Sequence, residues 1–85
     1  MSTAYNLVNR FVEIPVLGNG ERDWDALADL LIQAAFLAVS YSMDKYAVRF
    51  KYSDQSELVV DNHHQHGGSA MVTVYEDDEY VISYR

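Results

Sequence analysis

A helical run of apolar residues near the middle of the chain constrains the fold more than any other feature of the sequence. Between Trp24 and about Tyr41 the apolar residues recur at helical spacing and form one stripe: Trp24, Leu27, Leu30, Leu31, Ala34, Ala38 and Tyr41. Asp23 is a suitable N-cap, and Asp25 and Asp29 complement the positive end of the helix dipole. A stripe of this width predicts a helix that packs across a sheet.

The opposite side of this predicted helix is not uniformly polar. Its polar members are those expected of a solvated face: Asp25, Asp29, Gln33 and Ser40. Phe36 lies in the middle of this face, with Ile32 and Val39 beside it. We expect the N-terminal arm or a neighbouring subunit to cover these three residues, with a partner-binding patch as the alternative.

The N-terminal segment from Tyr5 to Leu17 carries apolar residues at mostly even spacing: Val8, Val12, Ile14 and Val16. Pro15 cannot donate a hydrogen bond to a strand ladder. This pattern predicts an edge strand, or an irregular arm along one. The break that follows is Gly18-Asn19-Gly20.

The C-terminal half predicts two hairpins. Tyr46 to Tyr52 alternates apolar and basic residues, and Leu58 to Asp61 supplies its partner strand. Pairing Tyr52 with Leu58 aligns the apolar faces, pairs Phe50 with Val60 and sets Arg49 opposite Asp61.

In the second hairpin, Ala70 to Tyr75 and Tyr80 to Tyr84 flank a turn at Asp77-Asp78. This turn pairs Tyr75 with Tyr80, Val74 with Val81 and Met71 with Tyr84. One face is aliphatic, and the other contains Tyr75, Tyr80, Ile82 and Tyr84, which we expect to face outwards or into an oligomer.

The predicted element order is therefore β-α-β-β-β-β. This is an α+β fold with an antiparallel sheet of four or five strands and one helix packed across one face. At 85 residues the chain has too little material for two cores, so residues 1–85 are predicted to form a single domain. The hydrophobic fraction of 49% is in the globular range.

Composition excludes several functional classes. There is no cysteine, which removes disulfides and thiolate chemistry and fits a reducing cytoplasm. The N-terminus lacks the pattern of a signal peptide, and Leu30 to Val39 is too short to span a bilayer. The formal charge of −7 disfavours direct binding to nucleic acid but favours basic protein surfaces.

The histidine cluster is the first candidate for chemistry. His63, His64 and His66 could ligate a metal, but adjacent histidines in a loop are poorly preorganised, and we predict an exposed loop without a metal or cofactor. The chain contains no G-x-S-x-G, H-E-x-x-H or phosphate-binding glycine motif, so we predict that it is not an enzyme.

The second candidate is the run of four carboxylates Glu76, Asp77, Asp78 and Glu79 at the tip of the second hairpin. The turn sets Glu76 opposite Glu79, and opposed like charges destabilise a ladder. Local violations of this kind are enriched at functional sites, so this tip is the first choice for docking on a basic surface. A solvated turn that guards an edge is the alternative.

In overall profile the chain resembles phage-encoded anti-CRISPR proteins, which are small inhibitors of CRISPR-Cas complexes. The resemblance covers the whole chain as an acidic, cysteine-free α+β domain, and it is carried by the helix start Asp23, Asp25 and Asp29 and by the tip Glu76 to Glu79. Several such proteins resemble DNA in charge and occupy nucleic-acid channels. No functional residue is transferred from this family.

The leading hypothesis is therefore an inhibitor that docks on a basic, nucleic-acid-binding surface of a target protein. Its predicted contact residues are the acids Glu76, Asp77, Asp78, Glu79, Asp25 and Asp29, together with Phe36, Tyr75 and Tyr80. The alternatives are an immunity or antitoxin protein that neutralises a basic toxin, and a homodimeric interaction module.

Overall fold

The computed structural model describes residues 2–18, 22–62 and 70–84. Two helices, α1 (Thr3–Val12) and α2 (Trp24–Leu37), precede five strands: β1 (Ser40–Met43), β2 (Ala47–Lys51), β3 (Ser56–Asn62), β4 (Ala70–Glu76) and β5 (Glu79–Tyr84). The strands form one antiparallel sheet in chain order, β1-β2-β3-β4-β5. The predicted α+β class and antiparallel sheet are confirmed.

The N-terminal segment is a helix, so the predicted edge strand or arm between Tyr5 and Leu17 is wrong. Its buried residues recur at helical spacing: Ala4, Leu7, Val8 and Phe11. Ser2 caps the helix, because its side chain accepts a hydrogen bond from the N–H of Tyr5. The even spacing of the apolar residues after Val8 obscured this helical period in the sequence. Past the helix, Val16 forms an isolated bridge with Arg22.

Helix α2 begins as predicted and ends earlier. Asp23 Oδ1 accepts hydrogen bonds from the N–H groups of Asp25 and Ala26, at 3.0 and 3.4 Å. The helix ends at Leu37, whereas the sequence pattern extended it to Tyr41. Pairing with β2 competes with the helix there: Val39 N–H donates to the carbonyl of Lys51 at 2.8 Å, and β1 follows.

Both helices contribute to one core. Helix α1 packs on β3 and β4. The buried residues Leu27, Leu30 and Ala34 of α2 join the same apolar cluster, whose sheet members are Phe50, Tyr52, Leu58, Val72 and Val74. The hydroxyl of Tyr52 donates to the carbonyl of Ala34 at 3.0 Å, which ties α2 to the sheet.

The registers differ from the prediction in two places. In the first hairpin Phe50 pairs with Leu58 and Arg49 with Val59, a two-residue shift that keeps the predicted faces but removes the pair of Arg49 with Asp61. In the second hairpin Tyr75 pairs with Tyr80 as predicted.

A register irregularity between Val74 and Tyr75 then changes the rest of the second hairpin. Val74 pairs with Ile82, and Tyr84 pairs with Val72 instead of Met71. Because Val72 and Val74 are buried in the core, Ile82 and Tyr84 lie on the core side. The prediction that both face away from the core is wrong.

Candidate protein-binding surfaces

Two hairpin turns lie side by side at one end of the sheet. The N–H of Asp77, in the turn between β4 and β5, donates to the carbonyl of Gln55, in the turn between β2 and β3, at 3.1 Å. Ser56 and Glu76, which adjoin the two turns, are also cross-strand partners at the start of the β3–β4 pairing. The hydrogen bond and this residue pair fix the position of one turn relative to the other.

The two turns bring six of the thirteen acidic residues to this end: Asp54, Glu57, Glu76, Asp77, Asp78 and Glu79. We call these six residues the acidic end. In the described part of the chain, two basic residues adjoin it. Arg49 forms an ion pair with Glu57 at 3.4 Å, and Lys51 lines a small cavity of about 40 Å³ together with Glu57 and Asp78. The net charge of this end of the sheet remains strongly negative.

The predicted opposition of Glu76 and Glu79 is present in the sheet, since the two residues are direct cross-strand partners. Between them, Asp77 and Asp78 both have positive φ, 52° and 65°. Two consecutive residues with positive φ are characteristic of the type I′ turn, which favours Asn, Asp and Gly. The turn therefore presents both aspartates at the tip in a defined backbone conformation.

Asp54 is the most tightly held carboxylate of the acidic end. Its Oδ1 accepts from the hydroxyl and N–H of Ser56, at 2.5 and 3.1 Å, and its Oδ2 accepts from the N–H and hydroxyl of Thr3, at 2.7 and 3.0 Å. The bond from the Ser56 hydroxyl, followed by that from the Thr3 N–H, holds the pKa of Asp54 far below its usual range. The carboxylate is thus fixed in its charged form and oriented.

An aromatic pair borders the acidic end. Tyr75 and Tyr80 face each other across β4 and β5, with ring centroids 6.2 Å apart and ring planes at 78°. Tyr80 is 61% exposed, whereas Tyr75 is half-buried. The predicted tyrosine contacts therefore lie beside the predicted acidic tip.

Asp25 and Asp29 are not part of this end. Both are exposed in the first turns of α2, and this half of the helix lines a groove with Asp44 and Asp61 at the other end of the sheet. Ala34, nearer the C-terminus of α2, is the residue that contacts Tyr52 next to the acidic end. The structure therefore separates the two predicted acidic groups instead of joining them in one face.

Phe36 is 87% exposed, so the predicted cover by an N-terminal arm is wrong: that segment is α1, which packs on β3 and β4 instead. Phe36 is one of seven exposed large apolar residues on α2, on β1 and on the segments that adjoin β1. We call this set the apolar edge, and its members are Ile32, Phe36, Leu37, Val39, Tyr41, Met43 and Tyr46. A groove of about 260 Å³ beside Met43 and Tyr46 continues it inwards to Leu27 and Leu31.

Several members of these surfaces were not predicted from the sequence. Asp54 and Glu57 join the acidic end because the two hairpin turns are adjacent, and no local pattern carries that information. Tyr41 and Met43 join the apolar edge because they lie on β1, which the helical pattern concealed. The alternation of Ser40, Tyr41, Ser42 and Met43 was the available signal for that strand.

His63, His64 and His66 lie outside the described residues. Within the ranges that are described, no three His, Cys, Asp or Glu side chains are grouped in a way that could hold a metal ion. Neither described helix has the length and apolar character needed to cross a membrane.

The arrangement defines an α+β domain in which a five-stranded antiparallel sheet carries two helices on one face. Comparison with protein-family models, with curated proteins and with solved structures found no match to this chain.

Proposed function

We propose that this chain is a protein-binding inhibitor that docks its acidic end on a basic, nucleic-acid-binding surface of a target protein. The observation that carries the proposal is the bond between Asp77 and Gln55, which holds two acidic turns together as one surface. Such a surface is complementary to the lysines and arginines that bind phosphate groups.

The rigidity of the acidic end supports this role. Asp54 is fixed by Thr3 and Ser56, and the tip aspartates are held in a two-residue turn. A charged surface that is already ordered loses little conformational entropy on binding, so more of the electrostatic attraction remains as affinity. Mobile acidic side chains on a loop would not have this advantage.

Tyr80 and Tyr75 extend the proposed contact. Aromatic residues are enriched among those that dominate binding energy, and they work best next to polar groups that exclude water. Tyr80 is exposed beside Glu79 and can supply such an anchor. Asp25 and Asp29 are excluded from this contact, because they lie towards the other end of the molecule.

The test uses two variants of equal charge as baits. The tip variant carries Glu76→Gln, Asp78→Asn and Glu79→Gln, and its matched control carries Glu13→Gln, Asp25→Asn and Asp29→Asn. Each removes three negative charges, so a difference between them cannot come from net charge. Both are compared with the wild-type chain in affinity capture from cells, followed by mass spectrometry.

We expect wild type and control to retain the same nucleic-acid-binding protein, which the tip variant loses. Added duplex DNA or RNA and raised salt should both release it, because they compete for the same basic surface. Equal capture by all three baits, or capture that competing nucleic acid and salt leave unchanged, would overturn the proposal.

A further inference from the structure

The apolar edge exposes several large side chains to solvent. Phe36 is 87% exposed, Met43 72% and Tyr41 69%. The seven side chains together present roughly 900 Å² of surface, about what each partner contributes to a standard protein interface. Groups of large exposed apolar side chains mark interaction sites, whereas single exposed ones are ordinary.

We propose that the apolar edge binds a second copy of this chain, with β1 of each copy pairing antiparallel about a two-fold axis. The five-stranded sheets of the two copies then form one continuous ten-stranded sheet. The two α2 helices lie on the same side of that sheet and bury their exposed apolar residues against each other and against the β1 strands.

The backbone of β1 has the required free edge. Among the described residues β1 pairs with β2 alone. The N–H of Asp44 donates to the carbonyl of Ala47 at 2.9 Å. Because the backbone groups of successive residues point to opposite sides of a strand, the N–H and C=O groups of Ser42 also point towards β2. The N–H and C=O groups of Tyr41 and Met43 consequently point towards the open edge.

Strand β1 is short, but it lacks two of the residue types that prevent strand pairing at an edge, namely charged residues and proline. Strand β1 reads Ser-Tyr-Ser-Met and contains no charge and no proline. The other edge strand, β5, begins with Glu79 and pairs with β4 through a register irregularity, and both features discourage pairing. The difference between the two edges favours β1 as the one that is paired in solution.

A second copy fits the apolar edge better than an unrelated partner does. A symmetric register about Ser42 places Tyr41 beside Met43 of the second copy, and the same contact recurs on the other side of the axis. Sulfur–aromatic contacts of this kind are favourable. The six residues of the acidic end lie outside the apolar edge, so the interface brings together apolar groups while most of the tip charge stays in solvent.

The test begins with the mass of the chain in solution. Sedimentation velocity across about 1 to 200 μM should show a species of twice 9.7 kDa in the upper part of the range. Phe36→Glu should raise the dissociation constant about 100-fold, because each substitution is present twice in a symmetric interface. Met43→Lys should act similarly at the strand edge.

Val16→Glu is the matched control, since Val16 is 60% exposed but lies outside the apolar edge. It adds the same charge and should leave the dissociation constant unchanged. Circular dichroism should show that all of these variants fold, because none of the replaced side chains is buried. The tip variant described above should also dimerise, which separates this proposal from the proposed function.

Hydrogen exchange then locates the interface. The amides of Tyr41 and Met43 should be protected in the wild-type dimer and should exchange rapidly in Phe36→Glu. A strict monomer at every concentration would overturn the proposal. So would a dimer that Phe36→Glu and Val16→Glu affect equally, or one in which the Tyr41 and Met43 amides exchange rapidly.

Discussion

The backbone N–H of Thr3 donates a hydrogen bond to Oδ2 of Asp54 at 2.7 Å, which joins the first turn of α1 to the turn between β2 and β3. The adjacent N–H of Ala4 donates to the hydroxyl of Ser56 at 3.2 Å. The first turn of a helix leaves its N–H groups without partners inside the helix. Here Asp54 and Ser56, which are distant in the sequence, accept hydrogen bonds from two of these groups. The helix that supplies much of the core is anchored to the acidic end.

Replacing Asp54 by Asn should lower the free energy of unfolding by about 1 kcal/mol at neutral pH, because an amide cannot accept all four hydrogen bonds that the carboxylate accepts. The pKa of Asp54 is depressed below its ordinary value of 3.8, so the stabilisation is complete above that value and is lost as the pH falls below it. Urea unfolding of wild type and variant at about pH 6 and about pH 2.5 should therefore give a difference that shrinks in acid.

Asp29→Asn serves as the control for loss of one exposed negative charge, and it should have little effect at either pH. A difference between wild type and Asp54→Asn that stays constant from neutral to acidic pH would contradict the role given to the carboxylate charge.

The buried hydroxyl of Tyr52 provides a second prediction. Tyr52 is 3% exposed and donates to the carbonyl of Ala34, so Tyr52→Phe leaves that carbonyl without this donor and should cost about 1 kcal/mol. Burial, and then the charge of Asp54, raise the pKa of Tyr52 well above its ordinary value of 10.0. Stability due to this group is thus present below pH 10 and falls as the pH rises above it.

Chemical denaturation at neutral pH and at about pH 11 should reveal both effects. Tyr80→Phe is the matched control, since Tyr80 is 61% exposed and lies outside the apolar edge, and it should be close to neutral. If both substitutions cost the same, the contact between Tyr52 and Ala34 would not contribute as described.

The parts of the fold with strong local signals could be predicted from the sequence. The alternation of apolar and polar residues predicted the strands of both hairpins, and Asp23 predicted the start of α2. The turn at Asp77-Asp78 predicted that Glu76 and Glu79 are cross-strand partners. Helix α1 was missed because the even spacing of Val8, Val12 and the residues after them was given more weight than the helical spacing of the residues before them.

The remaining differences arise from tertiary pairing. Strand β1 exists because Val39 and the residues after it bond to β2, although the apolar period continues that of a helix. The irregularity beside Val74 reverses the faces of the second half of β5. The acidic end depends on the bond between two separate turns. None of these contacts is encoded in the periodicity of one segment.

Helix α1 supplies a third prediction, because four of its side chains are buried in the core. Phe11 is 1% exposed, and the guanidinium of Arg22 lies 4.4 Å from the centre of its ring. Phe11→Ala should lower the free energy of unfolding by about 3 to 5 kcal/mol through lost burial and the resulting cavity. The adjacent Val12, 41% exposed, is the control, and Val12→Ala should cost less than about 1 kcal/mol.

Denaturant titration of both variants checks this difference. Similar small costs for Phe11→Ala and Val12→Ala would contradict the role of α1 as a helix of the core.

Glu79→Lys separates the stability of the acidic end from its proposed binding role. Glu79 is the cross-strand partner of Glu76, so the substitution replaces a repulsive pair by an attractive one and should stabilise the fold by about 0.5 to 1 kcal/mol. For a domain of this size the melting temperature should rise by about 2 to 8 °C. The same substitution reverses the charge next to Tyr80 and should weaken binding to a basic target.

Glu13→Lys is the matched control, because Glu13 is also exposed and follows the end of α1, away from the acidic end. It makes the same change in net charge and should leave target binding near the wild-type value. Calorimetric melting and a salt titration of binding measure the two effects. A lower melting temperature for Glu79→Lys than for the wild type would show that the opposed glutamates do not repel in the folded state. Stronger binding by Glu79→Lys would remove Glu79 from the proposed contact.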